Sequence, residues 1–264
     1  MNIPMKKYPR TPHLEGSRLQ PGDEDLSQID FSEIRGKHIV IEEKIDGANS
    51  AVSFDTDGGL LLQSRGHYLI GGPREIHYDL FKQWATAHAK TFYEVLGSRY
   101  IMYGEWMYAK HSMYYDALPS YFMEFDIFDR EKEIYLDTPS RRLLTEKMPI
   151  SSVPVLNEGV FQRSSDVLKC LGKSRFIRDG HIERLVKYCK DNGLDTEDRL
   201  FETDKTDIME GLYIKVEENG CVTNRLKYVR AGFAQGAMTS PHHWLHKAII
   251  PNGLSVPVES IFEE

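Results

Sequence analysis

Cysteine and long apolar segments are scarce in this 264-residue sequence. The three cysteines, Cys170, Cys189 and Cys221, stand far apart and form no CxxC pair. This spacing argues against a disulfide framework and a structural zinc site, and it favours a reducing, cytoplasmic compartment. No apolar run approaches the roughly 20 residues that span a bilayer, and the first residues lack the apolar core of a secretory signal. We therefore expect no membrane contact.

Basic residues are outnumbered by acidic residues, 33 to 40, which gives a net charge of −7. Nucleic-acid-binding proteins usually carry a basic face, so the total charge argues weakly against that class. The basic residues are unevenly distributed, however, because eight of them and only three acidic residues lie between Arg163 and Lys190. This basic segment is either a nucleic-acid-binding surface or a set of solvated helix faces, and the sequence leaves both open.

Strand-like patterns occur at both ends of the chain. Alternating or continuous apolar residues, bounded by turn-forming residues such as TDGG and ENG, predict strands. The predicted strands cover residues 37–44, 50–55, 59–65, 99–106, 121–128, 211–217 and 221–230.

Helical patterns fill the middle of the chain. Apolar residues recur at helical spacing from His77 to Leu96. Thr138 and Pro139 are typical of an N-cap and a first helical residue, and residues 164–192 look largely helical. Together the elements predict an α+β fold, with antiparallel sheets and a helical insertion at about 137–205.

The last part of the chain offers two further predictions. PHHWLHKAI, residues 241–249, has the pattern of a short helix. His242, His243 and His246 suggest a metal cluster, but they have no cysteine or acidic neighbour. We expect them to pack beside Trp244 rather than to bind a metal.

The stretch EEKIDGANS places Lys44 directly after an apolar strand and just before Asp46 and Gly47. A lysine at this point is costly in a core but useful at the rim of a pocket. Burial or a nearby cation would lower the pKa of Lys44 from about 10.4 and make the amine a nucleophile. Asp46 and Gly47 would form a tight turn that holds the lysine and contacts a ligand hydroxyl. K-x-D-G alone also describes many surface turns.

Further motifs follow Lys44 in a fixed order. They are SR at 64–65, GEWMYAKHSMYY from 104, YFMEFDIFD from 121, EGLYIK from 210 and NRLKYVR from 224. With KIDG, this series resembles the motifs of the covalent nucleotidyltransferase superfamily, and most closely those of ATP-dependent RNA ligases related to bacteriophage RNA ligase 2. The resemblance covers about residues 38–232, although 130–205 match no motif. It implies a nucleotidyltransferase fold whose antiparallel sheets flank an ATP pocket.

The resemblance also implies roles for the nucleotide-binding residues. Lys44 would attack the α-phosphate of ATP, release pyrophosphate and hold AMP through a phosphoramidate bond. Arg65 would bind the α-phosphate or a nucleic-acid 5′-phosphate, since a guanidinium suits bidentate phosphate contact. Glu105 would contact the ribose hydroxyls, and Phe125 would stack on adenine. AMP would then pass to a 5′-phosphate end, which a 3′-hydroxyl attacks.

Four residues of the last two motifs complete the implied site. Glu210 would bind the catalytic metal, Mg²⁺ or alternatively Mn²⁺. Lys227 would contact the α-phosphate and could supply the cation that keeps Lys44 deprotonated. The family often has Lys-x-Lys here, and Arg225 at the first position keeps a cation with different geometry. Lys215 would be a further phosphate contact.

Three other functions compete with an RNA ligase. A DNA nick ligase and a GTP-using capping guanylyltransferase usually carry a β-barrel after the last motif. The 34 residues after Arg230 are too few for an OB-fold, so we expect one nucleotidyltransferase domain over residues 1–264 without one. A non-catalytic RNA-binding protein of the same fold is the third. It is disfavoured because Lys44, Glu105, Glu210 and Lys227 occur together.

The expected partner is RNA, in the context of RNA repair. A nicked duplex, an RNA/DNA hybrid, a broken tRNA loop and free single strands are all candidate substrates. End recognition would rest on the basic segment or on a partner protein. If the basic segment binds RNA, charge reversal at Arg178, Arg184 and Lys187 would weaken joining and leave adenylylation of Lys44 nearly intact.

Overall fold

The computed structural model describes residues 4–19, 23, 26–233 and 248–263, apart from the Arg74 side chain. The strands are β1 (His13–Leu14), β2 (Gln28–Ile29), β3 (His38–Lys44), β4 (Ala48–Phe54), β5 (Leu60–Ser64), β6 (Tyr100–Trp106), β7 (Phe122–Asp129), β8 (Ile134–Tyr135), β9 (Ser151–Ser152), β10 (Val155–Val160), β11 (Gly211–Glu218) and β12 (Cys221–Val229). The helices are α1 (Asp79–Ala87), α2 (Ala89–Leu96), α3 (Thr138–Thr145), α4 (Ser164–Leu168), α5 (His181–Asp191) and α6 (Thr196–Phe201). Short 3₁₀ helices cover Phe31–Glu33, Pro73–Tyr78 and Val258–Phe262.

The strands form two mixed sheets that are mainly antiparallel. The first sheet has the order β10-β3-β11-β12-β1-β2, and the second has β5-β4-β6-β7-β8 with β9 paired to β7. Only β1 with β12, β1 with β2 and β9 with β7 run parallel among these pairs. The predicted combination of helices with antiparallel sheets is confirmed.

Pairing within the first sheet brings two distant segments together. Ile41 of β3 and Ile214 of β11 lie opposite each other and pack in one apolar cluster. In the same register Lys44 lies opposite Gly211, so the residue before Gly211 reaches the end of β3. A Cβ atom on Gly211 would lie 1.8 Å from the Tyr228 carbonyl oxygen. This close approach admits only glycine.

The second sheet packs against α1 and α2 through aromatic rings. Trp84 stacks on Phe122 with ring centroids 4.9 Å apart, and Phe81 also packs on Phe122. The predicted helix from His77 to Leu96 is divided in two at His88, which is fully buried. His88 Nε2 donates to the Ile261 carbonyl oxygen at 2.7 Å, and no local pattern reveals this long-range contact.

The predicted helical insertion at 137–205 is not confirmed as a purely helical segment. It contains α3 to α6, but β9 pairs with β7 and β10 forms the outer strand of the first sheet beside β3. Helix α3 is capped by Asp137, not by Thr138, because the Asp137 carboxylate accepts a hydrogen bond from Ser140 N. This middle region is therefore part of both sheets.

No helix within the described ranges has the length and apolar character to cross a membrane. The cysteines Cys170, Cys189 and Cys221 are all unpaired. The predicted helix at 241–249 lies mostly outside the described residues, and so do the histidines at 242, 243 and 246.

Candidate active site

A cavity of about 680 Å³ is lined by residues of both sheets. Seven predicted site residues line it: Lys44, Asp46, Gly47, Arg65, Glu105, Phe125 and Lys227. Glu210, Lys215 and Arg225 do not belong to this lining. Seven of the ten predicted site residues therefore converge on one cavity, and the other three lie outside its lining.

Lys44 and Glu210 form an ion pair at the cavity wall. Lys44 Nζ lies 2.7 Å from Glu210 Oε1, and the side chains are 21% and 1% exposed. The register of β3 and β11 explains the contact, because Glu210 directly precedes the residue opposite Lys44. The lysine thus neutralises a buried carboxylate while its amine remains accessible from the cavity.

The protonation state of Lys44 differs from the expectation. Burial favours the neutral amine, but the carboxylates of Glu210, Asp46 and Glu105 outweigh burial and raise the pKa of Lys44. Lys227 therefore does not keep Lys44 deprotonated in this structure. For the amine to act as the predicted nucleophile, the negative charge of Glu210 would have to be offset.

Asp46 and Gly47 fix the turn that follows Lys44. Asp46 Oδ2 accepts hydrogen bonds from Ser112 N at 2.7 Å and Met113 N at 3.2 Å. A Cβ atom on Gly47 would lie 2.8 Å from the Trp106 carbonyl oxygen, so the backbone of β6 requires glycine here. The Asp46 carboxylate thus anchors the turn to the loop after β6, and its contact with a ligand hydroxyl stays a prediction.

Glu105 contacts the same turn from β6. Its Oε1 accepts a hydrogen bond from Gly47 N at 3.3 Å. Burial, assisted by Asp46 and Glu210, raises the pKa of Glu105 to about 8, although Lys44 and Arg65 oppose the shift. A protonated carboxyl can donate as well as accept, which suits a contact with hydroxyl groups.

Phe125 is held at the cavity by two tyrosines. The Tyr8 ring meets it edge to face with centroids 5.1 Å apart, and the Tyr213 ring lies 6.3 Å away. Tyr8 donates its hydroxyl to Asp126 Oδ2 at 2.5 Å and lies 2.7 Å from the Tyr213 hydroxyl. These contacts position an aromatic ring on the wall where a base could stack.

Two further cations face the cavity from different strands. Arg65, directly after β5, is exposed. Lys227 of β12 is buried and forms an ion pair with Asp23. Burial, together with the positive charges of Lys44 and Arg65, lowers the pKa of Lys227, although Asp23 opposes the shift. Positive charge is therefore concentrated on this side of the cavity.

Lys215 and Arg225 belong to a buried ion network instead of the cavity wall. Lys215 Nζ lies 2.9 Å from Glu42 Oε2 and 3.3 Å from Asp126 Oδ1. Arg225 Nε donates to Asp126 Oδ2 at 2.9 Å, and its guanidinium lies 3.9 Å from the Tyr135 ring centroid. A direct phosphate contact from either side chain is not supported by this arrangement.

The RNA ligase family model matches residues 37–229. This chain belongs to the RNA ligase family. The matched range includes all ten predicted site residues and both sheets except β1 and β2. The predicted family is confirmed.

Three solved structures resemble this chain at low sequence identity. An RNA ligase variant from Naegleria gruberi, solved with ATP and Mn, is 17% identical with a TM-score of 0.51, over 87% of this chain and 57% of that chain. A second Naegleria variant with ATP and Mn is 16% identical with a TM-score of 0.49, over 85% and 61%. A putative ATP-dependent DNA ligase from Aquifex aeolicus is 17% identical with a TM-score of 0.46, over 85% and 50%.

This RNA ligase family member thus spans about three fifths of the Naegleria chains that it matches. A search of curated proteins finds no match.

Four cavity residues of this RNA ligase family member lie before the family match. Tyr8, Arg10, Thr11 and Asp23 all line the cavity. Arg10 and Thr11 reach the cavity from the segment just before β1. The one available signal was Tyr8, an aromatic residue in an otherwise polar, proline-containing segment.

The basic segment at 163–190 is largely neutralised by acidic residues. Arg178 Nε and Arg184 Nη2 lie 3.6 Å and 2.5 Å from the buried Asp116 Oδ2. Lys187 pairs with Asp191 at 2.6 Å. Charge reversal at both Arg178 and Arg184 would therefore leave the buried Asp116 without its arginine partners and lower stability. Lower stability affects joining and adenylylation alike, so these variants would not separate the two steps as predicted from sequence.

The residues around Lys44 fit a metal that arrives with the nucleotide. Glu210 supplies hard carboxylate oxygens beside Lys44, which Mg²⁺ and Mn²⁺ accept. No group of three or more His, Cys, Asp or Glu side chains in the described part of the chain is arranged to hold a metal. Mg²⁺ commonly takes one or two carboxylates and completes its shell with phosphate oxygens and water. The remaining ligands would therefore come from the nucleotide and water.

Proposed function

We propose that this protein is an ATP-dependent RNA ligase that joins 5′-phosphate and 3′-hydroxyl ends. The main support is the Lys44 amine, which lies at a cavity of about 680 Å³ beside Glu210. Phe125 and Glu105 line the same cavity. The Naegleria ligase with the similar fold contains ATP and Mn, and we infer ATP with Mg²⁺ or Mn²⁺ here.

The first step loads Lys44 with AMP. The neutral amine attacks the α-phosphorus of ATP, the N–P bond forms, and the bond from the α-phosphorus to the bridging oxygen breaks. Pyrophosphate leaves with the bonding electron pair, and the nitrogen loses a proton to solvent or to pyrophosphate. Because Glu210 keeps Lys44 protonated, the reaction requires this charge to be offset. Glu210 would hold a divalent metal, whose positive charge would serve that purpose.

The remaining cavity residues orient the nucleotide. Phe125 stacks on adenine, and Glu105 hydrogen-bonds to the ribose hydroxyls. Lys227 and Arg65 stabilise the negative charge on the reacting phosphate. Lys215 acts through the Phe125 carbonyl oxygen, to which its amine donates, and so positions the stacking ring rather than the phosphate.

The second and third steps join the RNA ends. A 5′-phosphate oxygen attacks the phosphorus of the lysine-bound AMP, the N–P bond breaks, and Lys44 recovers a proton. The 3′-hydroxyl then attacks the activated 5′-phosphate, a phosphodiester forms, and AMP leaves. Positioning and electrostatic stabilisation by the protein account for the catalysis.

Incubation with α-labelled ATP and Mg²⁺, followed by denaturing electrophoresis, tests the first step. We expect a labelled protein band for the wild type and for Lys187→Ala, which removes an exposed lysine and serves as the control. We expect no labelled band for Lys44→Ala. The labelling rate should increase as pH rises through neutrality, since the pKa of Lys44 is raised. A labelled Lys44→Ala band would overturn the proposal.

Nucleotide and strand preference are tested separately. Labelled GTP should give no adduct, which distinguishes a ligase from a capping enzyme. Nicked duplexes with RNA or DNA at the nick should be joined when the ends are RNA. Joining of only all-DNA nicks would favour a DNA ligase. Single-stranded RNA and RNA/DNA hybrids in the same assay would identify the preferred substrate.

A further inference from the structure

We propose that Arg10, His13 and Lys227 form a phosphate subsite, and that the Asp23 carboxylate occupies this subsite in the present structure. The proposal rests on the proposed ligase function, because it names the group that nucleotide or RNA phosphate must displace. Arg10, His13 and Asp23 precede the RNA ligase match at 37–229.

Three nitrogen donors converge on the Asp23 carboxylate. Lys227 Nζ donates to Oδ2, and His13 Nε2 lies 3.1 Å from the same oxygen. Arg10 Nη2 donates to Oδ1 at 3.3 Å. Arg10, Asp23 and Lys227 all line the cavity that holds Lys44. The donors therefore surround an anion at the nucleotide cavity, not at a separate surface.

The His13 ring is fixed so that it donates toward this anion. His13 is fully buried, and its Nδ1 lies 2.7 Å from Ser17 Oγ. Ser17 Oγ also accepts a hydrogen bond from Val229 N at 2.9 Å. Because a carboxylate only accepts, Nε2 carries the proton and Nδ1 accepts the Ser17 hydroxyl. Neutral His13 thus presents a built-in N–H donor at the subsite.

A phosphate oxyanion meets the same requirements as the carboxylate, with more charge. Lys and Arg side chains bind phosphate as readily as carboxylate. Lys44 and Arg65 also line the cavity near Lys227. Burial lowers the pKa of Lys227, and the positive charges of Lys44 and Arg65 lower it further. The Asp23 carboxylate carries one negative charge among the three nitrogen donors that contact it. A di- or trianionic phosphate offers these donors more negative charge and more acceptor oxygens, so phosphate competes with Asp23.

Two phosphates of the reaction could use the subsite. One is the triphosphate tail of ATP, and the other is the 5′-phosphate of an RNA end. Both would take the place of the Asp23 carboxylate next to Lys227. Binding of each must therefore increase when the Asp23 charge is removed without loss of shape.

Titration calorimetry of the full chain with inorganic pyrophosphate tests the subsite. We expect Asp23→Asn to bind pyrophosphate roughly three- to tenfold more tightly, because a competing ion pair is removed. Arg10→Ala should bind it more weakly by a similar factor. Asp191→Asn, which disrupts the exposed pair with Lys187, is the matched control and should bind like the wild type. Equal or weaker binding by Asp23→Asn would overturn the proposal.

A thermal melt of each variant accompanies the titration. If Asp23→Asn does not fold, Arg10→Ala decides, because Arg10 is 43% exposed and its truncation should preserve the fold. Unchanged pyrophosphate binding by folded Arg10→Ala would then reject the subsite, and weaker binding would support it.

The two phosphate sources are distinguished in a Lys44→Ala background, which prevents adenylylation. Tighter binding of ATP but not of 5′-phosphorylated RNA in Asp23→Asn assigns the subsite to the triphosphate, and the reverse assigns it to the RNA end. Binding of 5′-hydroxyl RNA is the control. These titrations require no AMP transfer. Absence of AMP labelling with a positive pyrophosphate result would therefore reject the ligase proposal alone.

Discussion

Two groups of charged side chains meet on strands β3 and β12 but differ in exposure and in their number of partners. At the cavity, Lys44 pairs with Glu210 and Lys227 with Asp23. Behind the cavity wall lies the buried ion network, which comprises Glu42, Glu124, Asp126, Arg141, Lys215 and Arg225. Arg141 pairs with both Glu42 and Glu124 there, and Lys215 with both Glu42 and Asp126.

The difference in exposure indicates which charged side chains can exchange a protein partner for a substrate group. Three acids and three bases balance within the buried ion network, so removing one leaves an unpaired charge away from water. Arg141 and Lys215 also both donate to the Phe125 carbonyl oxygen, which connects the network to the residue proposed to stack on the base. The cavity pairs each face open volume, where a substrate phosphate can replace a carboxylate. We therefore expect the network to stabilise the fold and the cavity pairs to take part in the proposed chemistry.

Arg141→Ala should produce the largest effect. It leaves Glu42 and Glu124 buried without their arginine, which costs about 3–5 kcal/mol of unfolding free energy in such pairs. Arg142→Ala, the exposed neighbour on α3, should change it by less than about 0.5 kcal/mol. Urea unfolding monitored by circular dichroism measures both. Equal stability of the two variants would contradict the structural role of the network.

Lys227→Ala and Arg225→Ala should separate activity from stability on one strand. We expect Lys227→Ala to slow AMP transfer about 100-fold or more, by analogy with loss of one charge-stabilising donor, with little change in unfolding free energy. Arg225→Ala should instead lower the unfolding free energy, because Asp126 loses its partner. Single-turnover labelling and urea unfolding measure the two quantities. Reversed results would exchange the assigned roles.

Glu43 lies between the two groups of charges, and its burial should make the stability of the protein depend on pH. It lies on β3 between Glu42 and Lys44 and is 1% exposed. Burial raises the pKa of Glu43 from 4.5 to about 7, partly opposed by Ser174 and Arg175. The folded state therefore binds the proton more tightly, and unfolding free energy is lost as pH rises from about 4.5 through 7. The loss is up to about 3 kcal/mol.

Urea unfolding at a series of pH values measures this loss. Glu43→Gln should lack this component of the pH dependence, whereas the exposed control Glu94→Gln should follow the wild type. A Glu43→Gln profile parallel to the wild type would show that Glu43 is ionised normally.

Phe125→Ala should give the smallest of these effects. Loss of base stacking costs about 1–3 kcal/mol, so the KM for ATP should increase by roughly five- to one-hundredfold. Phe125→Tyr keeps an aromatic face and should remain near the wild type. Initial rates of labelling at varied ATP concentration measure KM. An unchanged KM for Phe125→Ala would mean that adenine binds elsewhere in the cavity.

The sequence predicted the long strands well, because β3, β11 and β12 have clear apolar patterns and turn residues between them. It did not predict β9 and β10, which are short and polar and exist through pairing with distant strands. The break at His88 likewise depends on a contact with Ile261. Local sequence patterns contain no information on such long-range partners.

The site was predicted to a similar extent. Motif order located Lys44, Glu105 and Phe125 at one cavity. Arg225 and Lys227 lie on the same face of β12, since side chains alternate along a strand. Both residues are basic and share a face, so the sequence could not show that they have different surroundings. Lys227 reaches the cavity, whereas Arg225 joins the buried ion network. Arg141 belonged to no motif, and its side-chain partners come from two distant strands, β3 and β7.

Peptide mapping by mass spectrometry tests the central claim most directly. The whole protein is incubated with ATP and Mg²⁺, digested under conditions that preserve P–N bonds, and searched for AMP-modified peptides. We predict AMP on Lys44 and on no other lysine, with Lys227 and Lys215 unmodified. AMP on a different residue, or an unmodified Lys44 after incubation that supports RNA joining, would contradict the proposed mechanism.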